Sequence, residues 1–282
     1  MNLPINTDLT GKVAVVTGAG GVLCGMFSEA LAAAGAKVAV LDLNEEAAQA
    51  VADKITAAGG IAKAYKCNVL EKPSLEECHA AVLKDLGPCD ILLNGAGGNN
   101  PRATTDKEYY EPGDLDADTK SFFDLEQDGV EFVFRLNFIG ALLPSQVFVK
   151  DMLGRPGCNI INISSMNAYR PLTKIPAYSG AKSAISNFTQ WLAVHFSREG
   201  IRVNAIAPGY FAGNQNRSLL FNEDGTPTAR TKKIMAATPM DRFGEPEELI
   251  GTLLYLLNND AASFVTGVVI PVDGGVSAYA GV

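Results

Sequence analysis

A serine, a tyrosine and a lysine in the middle of the chain could together move a proton. Ser165 follows the apolar run 160–163, and Tyr178 and Lys182 form a Tyr-x-x-x-Lys pair. Residues at this spacing lie on one face of a helix. An ammonium beside a phenol, whose pKa is ordinarily about 10, favours the phenolate. We therefore predict acid/base chemistry at a carbonyl or alcohol for Tyr178, although an ordinary amphipathic helix would show the same spacing.

The N-terminal part of the chain has the features of a dinucleotide site. A glycine turn at 18–21 follows a predicted strand at 12–17, a helix is predicted from about Val22, and Asp42 follows a second strand at 37–41. In this order the helix N-terminus binds a pyrophosphate and the acid binds the adenosine ribose. Neither lysine nor arginine follows Asp42 directly, and its carboxylate would repel the 2′-phosphate of NADP. The sequence therefore predicts NAD as the cofactor, with NADP as the less favoured alternative.

Composition and length exclude several classes of protein. The 282 residues fit one domain, 1–282, and a hydrophobic content of 47% is ample for a core. The net charge of -8 argues against a nucleic-acid surface. Neither an apolar run of ~20 residues nor a signal peptide is present, so we predict a cytoplasmic protein without membrane contact. The scattered cysteines indicate reduced thiols, and His79 and His195 fall on separate predicted helices, so no metal site is predicted.

Predicted strands alternate with predicted helices along the chain. Such alternation produces right-handed crossovers, so we expect an α/β fold of the Rossmann type, with a doubly wound parallel sheet and helices on both faces. We expect Asn44 to cap one helix, a Ser74–Glu77 capping box to begin another, and a long helix at 129–153. The predicted strands are 12–17, 37–41, 61–68, 90–94, 160–163, 202–206 and 268–272.

Two long polar stretches interrupt this alternation, at about 98–128 and 210–242. Loops of this length in a compact domain are usually functional, so we interpret both as substrate loops. With the segment after Ser165 they carry amides, which suit hydroxyl groups, and cations, which suit a carboxylate. The candidate substrate residues are Asn99, Asn100, Arg102, Asn167, Arg170, Asn214 and Arg217, and Lys174, Gln215 and Asn216 belong to the same group.

A series of short motifs resembles, in type and order, those of the short-chain dehydrogenase/reductase family. The resemblance covers the whole chain and implies a seven-stranded parallel sheet with helices on both faces. The matching motifs are Thr17-Gly18 with the glycine turn, Asn94-Gly95-Ala96-Gly97, Asn137, Ser165, Tyr178-x-x-x-Lys182, Pro208-Gly209 and Val272-Asp273-Gly274-Gly275.

The resemblance also implies a catalytic tetrad and a cofactor site. Tyr178 would be the acid/base, Lys182 would lower its pKa and hold the nicotinamide ribose, and Ser165 would orient the carbonyl. Asn137 would keep a water in the proton relay, the alternative being a structural water that kinks its helix. The implied cofactor residues are Gly18, Gly20, Gly21, Val22, Leu23, Asp42, Leu43, Asn68, Val69, Asn94, Ala96, Gly97, Tyr178, Lys182, Pro208 and Gly209.

Several positions depart from the family pattern or admit a second interpretation. Val22 and Cys24 stand where the family usually has glycine, and a Cβ at Val22 would narrow the approach to the pyrophosphate. We expect Cys24 to pack helix against strand rather than to do redox chemistry. Asn94 is expected to tie strands together more than to take part in the chemistry. Asn68 replaces the usual aspartate near adenine, and the family's threonine after Pro-Gly would fall at about Gly213.

Within the family, the amide-rich loops favour a dehydrogenase that acts on a sugar acid. Alternatives are a gluconate 5-dehydrogenase, a polyol dehydrogenase, a 3-oxoacyl carrier-protein reductase or a non-enzymatic dinucleotide sensor. An acyl substrate would need an apolar channel, and a sensor could lose the tetrad that this chain retains. Family members are commonly tetramers, so we expect a homotetramer, with interface candidates Phe132, Phe134, Phe138, Phe188, Trp191, Phe196 and the tail 268–282.

Overall fold

The computed structural model describes residues 6–212 and 220–281, and its centre is one parallel sheet. The strand order is β3-β2-β1-β4-β5-β6-β7, and each neighbouring pair is parallel. The seven-stranded, doubly wound sheet predicted from the sequence is confirmed. The strands are β1 Val13–Thr17, β2 Lys37–Asp42, β3 Ile61–Lys66, β4 Ile91–Asn94, β5 Asn159–Ile163, β6 Arg202–Pro208 and β7 Val269–Val272.

Helices cover both faces of this sheet, because the strands are apolar on both sides. Phe148 on one face and Phe27 on the other are completely buried and belong to two separate core clusters. The helices are α1 Val22–Ala33, α2 Glu45–Ala57, α3 Lys72–Asp85, α4 Gln127–Phe134, α5 Gly140–Phe148, α6 Pro176–His195, α7 Ala229–Ala237 and α8 Ile250–Leu257. Helices α3, α5 and α6 pack on the face that contains Phe148, and α1, α2 and α8 pack on the face that contains Phe27.

The expected helix caps have different outcomes. The Asn44 side chain accepts a hydrogen bond from the Ala47 amide at 3.1 Å, which confirms it as the cap of α2. The Ser74–Glu77 capping box is wrong, because α3 begins earlier, at Lys72, with a proline in its first turn. The Ser74 hydroxyl instead accepts from the Asn68 amide at 3.0 Å and holds the turn after β3.

The long helix expected at 129–153 is interrupted. A π-helical segment, Arg135–Ile139, joins α4 to α5, and a short 3-10 segment, Val149–Met152, follows. Such segments insert extra backbone into a helix and often occur at functional sites. By length and composition alone, the stretch Gln127–Met152 could cross a membrane. Half of its most apolar 18-residue segment is buried inside the protein, as in a core helix.

Cys24 packs helix α1 against the segment after β4, as the sequence analysis expected. Its side chain is buried, and burial raises the pKa of the thiol to about 12. A Cβ built on Gly95 would lie 2.1 Å from the Cys24 sulfur and 2.9 Å from the Thr17 carbonyl oxygen. The cysteine therefore fills the space that a glycine at 95 leaves open.

This packing gives a stability prediction. Gly95→Ala should lower the free energy of unfolding by about 1–3 kcal/mol, because the new methyl group overlaps Cys24. Cys24→Ala in the same chain should restore part of the loss, which urea denaturation of the four combinations would measure. Gly251→Ala is the control, since a Cβ there meets nothing within 4 Å. Additive effects of the two changes would contradict the contact.

Candidate active site

The carboxyl ends of the central strands bring the predicted tetrad together. Ser165 follows β5, is buried, and accepts a hydrogen bond from the Asn167 amide at 3.2 Å. Tyr178 lies in the first turn of α6, partly buried beside the Ser165 hydroxyl. Lys182 is one turn further along the same helix and is buried. The helical spacing therefore places tyrosine and lysine together, as the sequence predicted.

Burial works against the charged forms of Tyr178 and Lys182. Burial raises the pKa of the Tyr178 phenol, and the neighbouring Ser165 hydroxyl only partly opposes that shift. Burial also lowers the pKa of Lys182 to about 8. The Lys182 ammonium donates to the Ile163 carbonyl oxygen at 2.8 Å and lies 5.6 Å from the centre of the Tyr178 ring. Desolvation thus opposes the phenolate that Lys182 is expected to favour, and the positive charge of an oxidised nicotinamide, which would add to that of Lys182, is not part of this balance.

Asn137 lies inside the π-helical segment and holds the loop after β4. Its amide group donates to the Gly98 carbonyl at 2.7 Å and to the Val133 carbonyl at 2.8 Å, and its carbonyl accepts from the Gly98 amide at 3.2 Å. A Cβ built on Gly97 would lie 2.7 Å from the Asn137 oxygen and 3.2 Å from the Lys182 nitrogen. Asn137 and Lys182 therefore both approach Gly97 closely, and the amide oxygen of Asn137 has a second lone pair for a water.

The turn before α1 is shaped to receive a dinucleotide. Gly18 has a φ of +67°, and a Cβ there would lie 2.8 Å from the Ala96 Cα, so only glycine fits. Gly21 begins α1 without a side-chain cap, which leaves the amides of the first turn available to a phosphate. Val22 is 39% exposed at this end of the helix. Leu23 follows it in the same first turn.

Asp42 is positioned by two backbone amides at the end of β2. One carboxylate oxygen accepts from the Gly20 amide at 2.9 Å and the other from the Asn44 amide at 2.9 Å. Each oxygen keeps a lone pair that a ribose hydroxyl can use. Leu43, beside it, is 64% exposed. The glycine turn, the open helix terminus and the carboxylate therefore fit a dinucleotide with a free ribose.

Asp42 carries a prediction on cofactor choice. Asp42→Asn keeps the size of the side chain but removes the charge that repels a 2′-phosphate. We expect the preference for NADH over NADPH to fall at least ten-fold, through weaker NADH binding and stronger NADPH binding. Dissociation constants from NAD(P)H fluorescence titration measure this directly. If the variant and the original protein prefer NADH over NADPH by the same factor, Asp42 does not select the cofactor.

The remaining cofactor candidates are placed differently. The Asn68 amide donates to Glu71 at 2.9 Å and its oxygen accepts from the Leu70 amide at 3.1 Å, so it serves its own turn. Asn94 is buried and donates to Ser145 at 3.1 Å and to Asn162 at 2.9 Å, so its amide group ties β4 to β5 and α5. The other candidates lie in or directly after strand ends: Val69, Ala96, Gly97, Pro208 and Gly209.

Three of the candidate substrate residues, Asn99, Asn100 and Arg102, make contacts within the 98–128 loop itself. Asn99 donates to Thr104 at 2.9 Å, and Asn100 accepts from the Arg102 amide at 2.9 Å. The Arg102 guanidinium lies 3.4 Å from Glu126, so its charge is paired. The remaining candidates have other placements: Asn167 is buried, with its side-chain oxygen unpartnered among the described residues; Arg170 and Lys174 are exposed; and Gly213, Asn214, Gln215, Asn216 and Arg217 lie outside the described residues.

A cleft beside the first turn of α6 contains residues that the sequence analysis missed. Its volume is about 440 Å³, and it is lined by the 98–128 loop, the residues before α6, Tyr210 and helix α7. Arg230 and Lys233 reach it from α7. The available signal was three cations within residues 229–233 of an acidic chain. Among the described residues, no group of three or more histidines, cysteines or acids could hold a metal ion.

Comparisons with known proteins agree with this geometry. A family model described as Enoyl-(Acyl carrier protein) reductase matches residues 24–277. A crystal structure described as that of a "putative D-Mannonate oxidoreductase" from Haemophilus influenza, with bound NAD, has a TM-score of 0.95 and 60% identity, covering 100% of both chains. The Escherichia coli (strain K12) 7alpha-hydroxysteroid dehydrogenase is 31% identical, and its 5-keto-D-gluconate 5-reductase is 30% identical. They cover 96% and 95% of this chain, and 96% of each relative.

The chain therefore belongs to the short-chain dehydrogenase/reductase family. It is an oxidoreductase of the kind that acts on alcohol groups with a nicotinamide dinucleotide, so the predicted enzyme class is confirmed. The predicted cofactor class is confirmed with it, and the NAD in the Haemophilus structure agrees with the choice of NAD.

Proposed function

We propose that the protein interconverts D-fructuronate and D-mannonate with NAD(H), as a D-mannonate oxidoreductase of hexuronate metabolism. The observation that carries the proposal is the combination of a complete tetrad with a cationic cleft that is lined by residues 172–175, which lead directly into the helix of Tyr178 and Lys182. The similarity over the full chain to the Haemophilus protein, at 60% identity, supports the same substrate. The motifs 97–101, 165–171 and 277–279 also resemble bacterial D-mannonate oxidoreductases.

In this proposal each tetrad residue has a defined task. NADH, when bound, supplies the hydride to the keto carbon. The Ser165 hydroxyl donates a hydrogen bond to the substrate carbonyl, and the Tyr178 hydroxyl gives its proton to the same oxygen. The raised pKa of Tyr178 keeps the phenol protonated at neutral pH, which suits reduction of a ketone. Lys182 holds the nicotinamide ribose, and Asn137 fixes Gly97 and Gly98 and binds the relay water.

A second candidate is reduction of 5-keto-D-gluconate. The Escherichia coli 5-keto-D-gluconate 5-reductase is 30% identical over nearly the whole chain. Both substrates are six-carbon acids with a ketone and several hydroxyls, so the same cleft chemistry suits either. In both acids the ketone lies beside the terminal hydroxymethyl group, four bonds along the carbon chain from the carboxylate carbon, so only the configuration of the hydroxyl-bearing carbons separates the two.

Steady-state kinetics with NADH test the proposal. The panel is D-fructuronate, 5-keto-D-gluconate, the neutral D-fructose and an acetoacetyl thioester. We expect D-fructuronate to have the highest kcat/KM and the neutral ketose to be worse by as much as 10⁴, because a site with buried polar partners rejects a substrate that leaves them unpaired. Equal activity on D-fructose, or a preference for the thioester, would remove the proposal.

We also propose that the enzyme is a cytoplasmic homotetramer. Large apolar side chains remain exposed on α6 and near β7: Trp191 is 56% exposed, Val194 78% and Phe264 102%. Two separate apolar faces of this kind would be buried in a tetramer with two types of interface. Light scattering at micromolar concentration should give four times the chain mass of 29.7 kDa. A monomer would contradict this.

A further inference from the structure

The cleft beside α6 has an unusual charge for this protein. Three cationic side chains line it, Lys174, Arg230 and Lys233, against a single acid, Glu108. The chain as a whole has the opposite balance, with a net charge of -8. Leu172 and Ile175 provide apolar lining in the same cleft. A volume of about 440 Å³ is within the range of sites for small molecules.

Only one of these three cations has an acidic partner among the described residues. Lys233 lies 2.7 Å from the Glu108 carboxylate, and this bond, with a smaller contribution from Lys174, lowers the pKa of Glu108. The Lys174 ammonium donates to the Asp106 carbonyl oxygen at 2.6 Å, which is a neutral partner. The segment 213–219 contains no aspartate or glutamate in the sequence, so it has no carboxylate to offer. The cleft therefore keeps an excess of positive charge.

Lys174 holds a backbone conformation that costs free energy. Its φ is +72°, a region that glycine adopts readily and lysine does not. Its carbonyl accepts from the Thr105 amide at 2.9 Å, so the residue joins the 98–128 loop to the start of α6. Strained residues of this kind cluster at functional sites. The strained backbone therefore marks Lys174 as a candidate for a functional role.

Arg230 approaches the cleft from the opposite side. It lies on the first turn of α7, and its charge lowers the pKa of Tyr210, against the rise that burial causes. Tyr210 itself follows Pro208-Gly209 at the end of β6 and lines the cleft. Lys174 precedes the helix turn that carries Tyr178. Both cations therefore line a cleft whose wall includes Ile175, the residue that precedes helix α6 and its acid/base residue Tyr178.

We propose that Lys174 and Arg230 bind the carboxylate of the substrate in this cleft, while its ketone reaches Ser165 and Tyr178. This inference rests on the proposed function, because it gives the sugar acid its orientation. An arginine fork binds both carboxylate oxygens, and a lysine adds a point charge. Lys233 and Glu108 hold α7 to the 98–128 loop and fix the width of the cleft. Arg170, another of the candidate substrate residues predicted from the sequence, does not line the cleft.

Kinetics of matched variants test this assignment. Arg230→Gln and Lys174→Met should each raise KM for D-fructuronate roughly ten- to hundred-fold, as expected for loss of a charge-assisted hydrogen bond. KM for NADH should not change. Lys232→Gln, an exposed cation on the same helix that does not line the cleft, is the control and should behave as the original enzyme. Changes below two-fold in both cleft variants, or an equal change in the control, would overturn the assignment.

A second variant at Lys174 separates binding from folding. Lys174→Gly suits the φ of +72° without strain, so the melting temperature should stay equal or rise. KM for the acid should nevertheless increase as in Lys174→Met. A KM that stays at the original value in a stable Lys174→Gly protein would show that the ammonium has no part in binding.

Assays of the original enzyme and of the same variants with both keto acids distinguish the failure of the proposed substrate from the failure of the cleft assignment. If the enzyme reduces 5-keto-D-gluconate and not D-fructuronate, the proposed substrate fails, and the same variants are assayed with that acid. If the KM of the cleft variants for 5-keto-D-gluconate rises, the assignment of Lys174 and Arg230 to the carboxylate stands. If their KM does not rise, the assignment is overturned. If the enzyme binds no sugar acid and reduces only neutral ketones, both proposals are overturned.

Discussion

Replacement of Tyr178 by phenylalanine should reduce kcat by 10²–10⁴ while NADH still binds. The change removes the hydroxyl that gives the proton and leaves the ring that packs in the first turn of α6. A loss of this size is typical when a general acid is removed. Stopped assays with high enzyme concentration would measure the residual rate, and NADH fluorescence titration would measure cofactor affinity.

Tyr169→Phe is the matched control for this experiment. Its hydroxyl donates to the Val269 carbonyl of strand β7 at 2.6 Å, and the ring is 46% exposed. We expect its kcat to stay within a few-fold of the original enzyme. Near-normal turnover of Tyr178→Phe, or an equal loss in both variants, would mean that the proton comes from another group.

Replacement of Lys182 by methionine should abolish most activity and change how stability depends on pH. The pKa of Lys182 is lowered from 10.5 to about 8 by burial, so the folded protein releases its proton more readily than the unfolded chain. The difference corresponds to about 3 kcal/mol of destabilisation when the lysine is protonated. This cost is fully present below pH 8 and disappears as the pH rises through 10.5.

The methionine variant lacks this titration. Its free energy of unfolding relative to the original protein should therefore fall by about 3 kcal/mol between pH 7 and pH 10.5. The absolute difference also includes the lost bond to the Ile163 carbonyl, which does not titrate. Denaturant unfolding of both proteins at several pH values measures the slope. Parallel pH profiles would contradict the lowered pKa. NADH affinity should fall in this variant, in contrast to Tyr178→Phe.

The strand order and the tetrad were predictable because both depend on local patterns. Apolar runs that alternate with helices define the sheet, and the Tyr178–Lys182 spacing places both residues on one helix face whatever surrounds them. Asp42 is similar, since a strand end and a glycine turn fix its position. In each of these cases the local sequence pattern is sufficient to predict where the residues lie.

The parts that were missed depend on contacts between distant segments. The Ser74 hydroxyl could have capped a helix, but a bond to the Asn68 amide competes successfully for it. The charge states of Tyr178 and Lys182 follow from how deeply the fold buries them, which spacing does not encode. Two of the three cleft cations, Arg230 and Lys233, come from α7, far along the chain from α6, so no local motif could place them in one cleft with Lys174.

The buried polar chain beneath the site has a consequence for how this enzyme can change. Asn94 donates to Asn162, and Asn162 donates to Thr189 at 2.9 Å, so directional bonds connect β4, β5 and α6. Apolar side chains could slide past one another to accommodate a mutation, but these amides have few alternative partners. The alignment of the acid/base residue with the strand ends is therefore insulated from the outer loops. A descendant of this chain could acquire a new substrate by exchanging the residues of 98–128 or α7 and still transfer its proton in the same place.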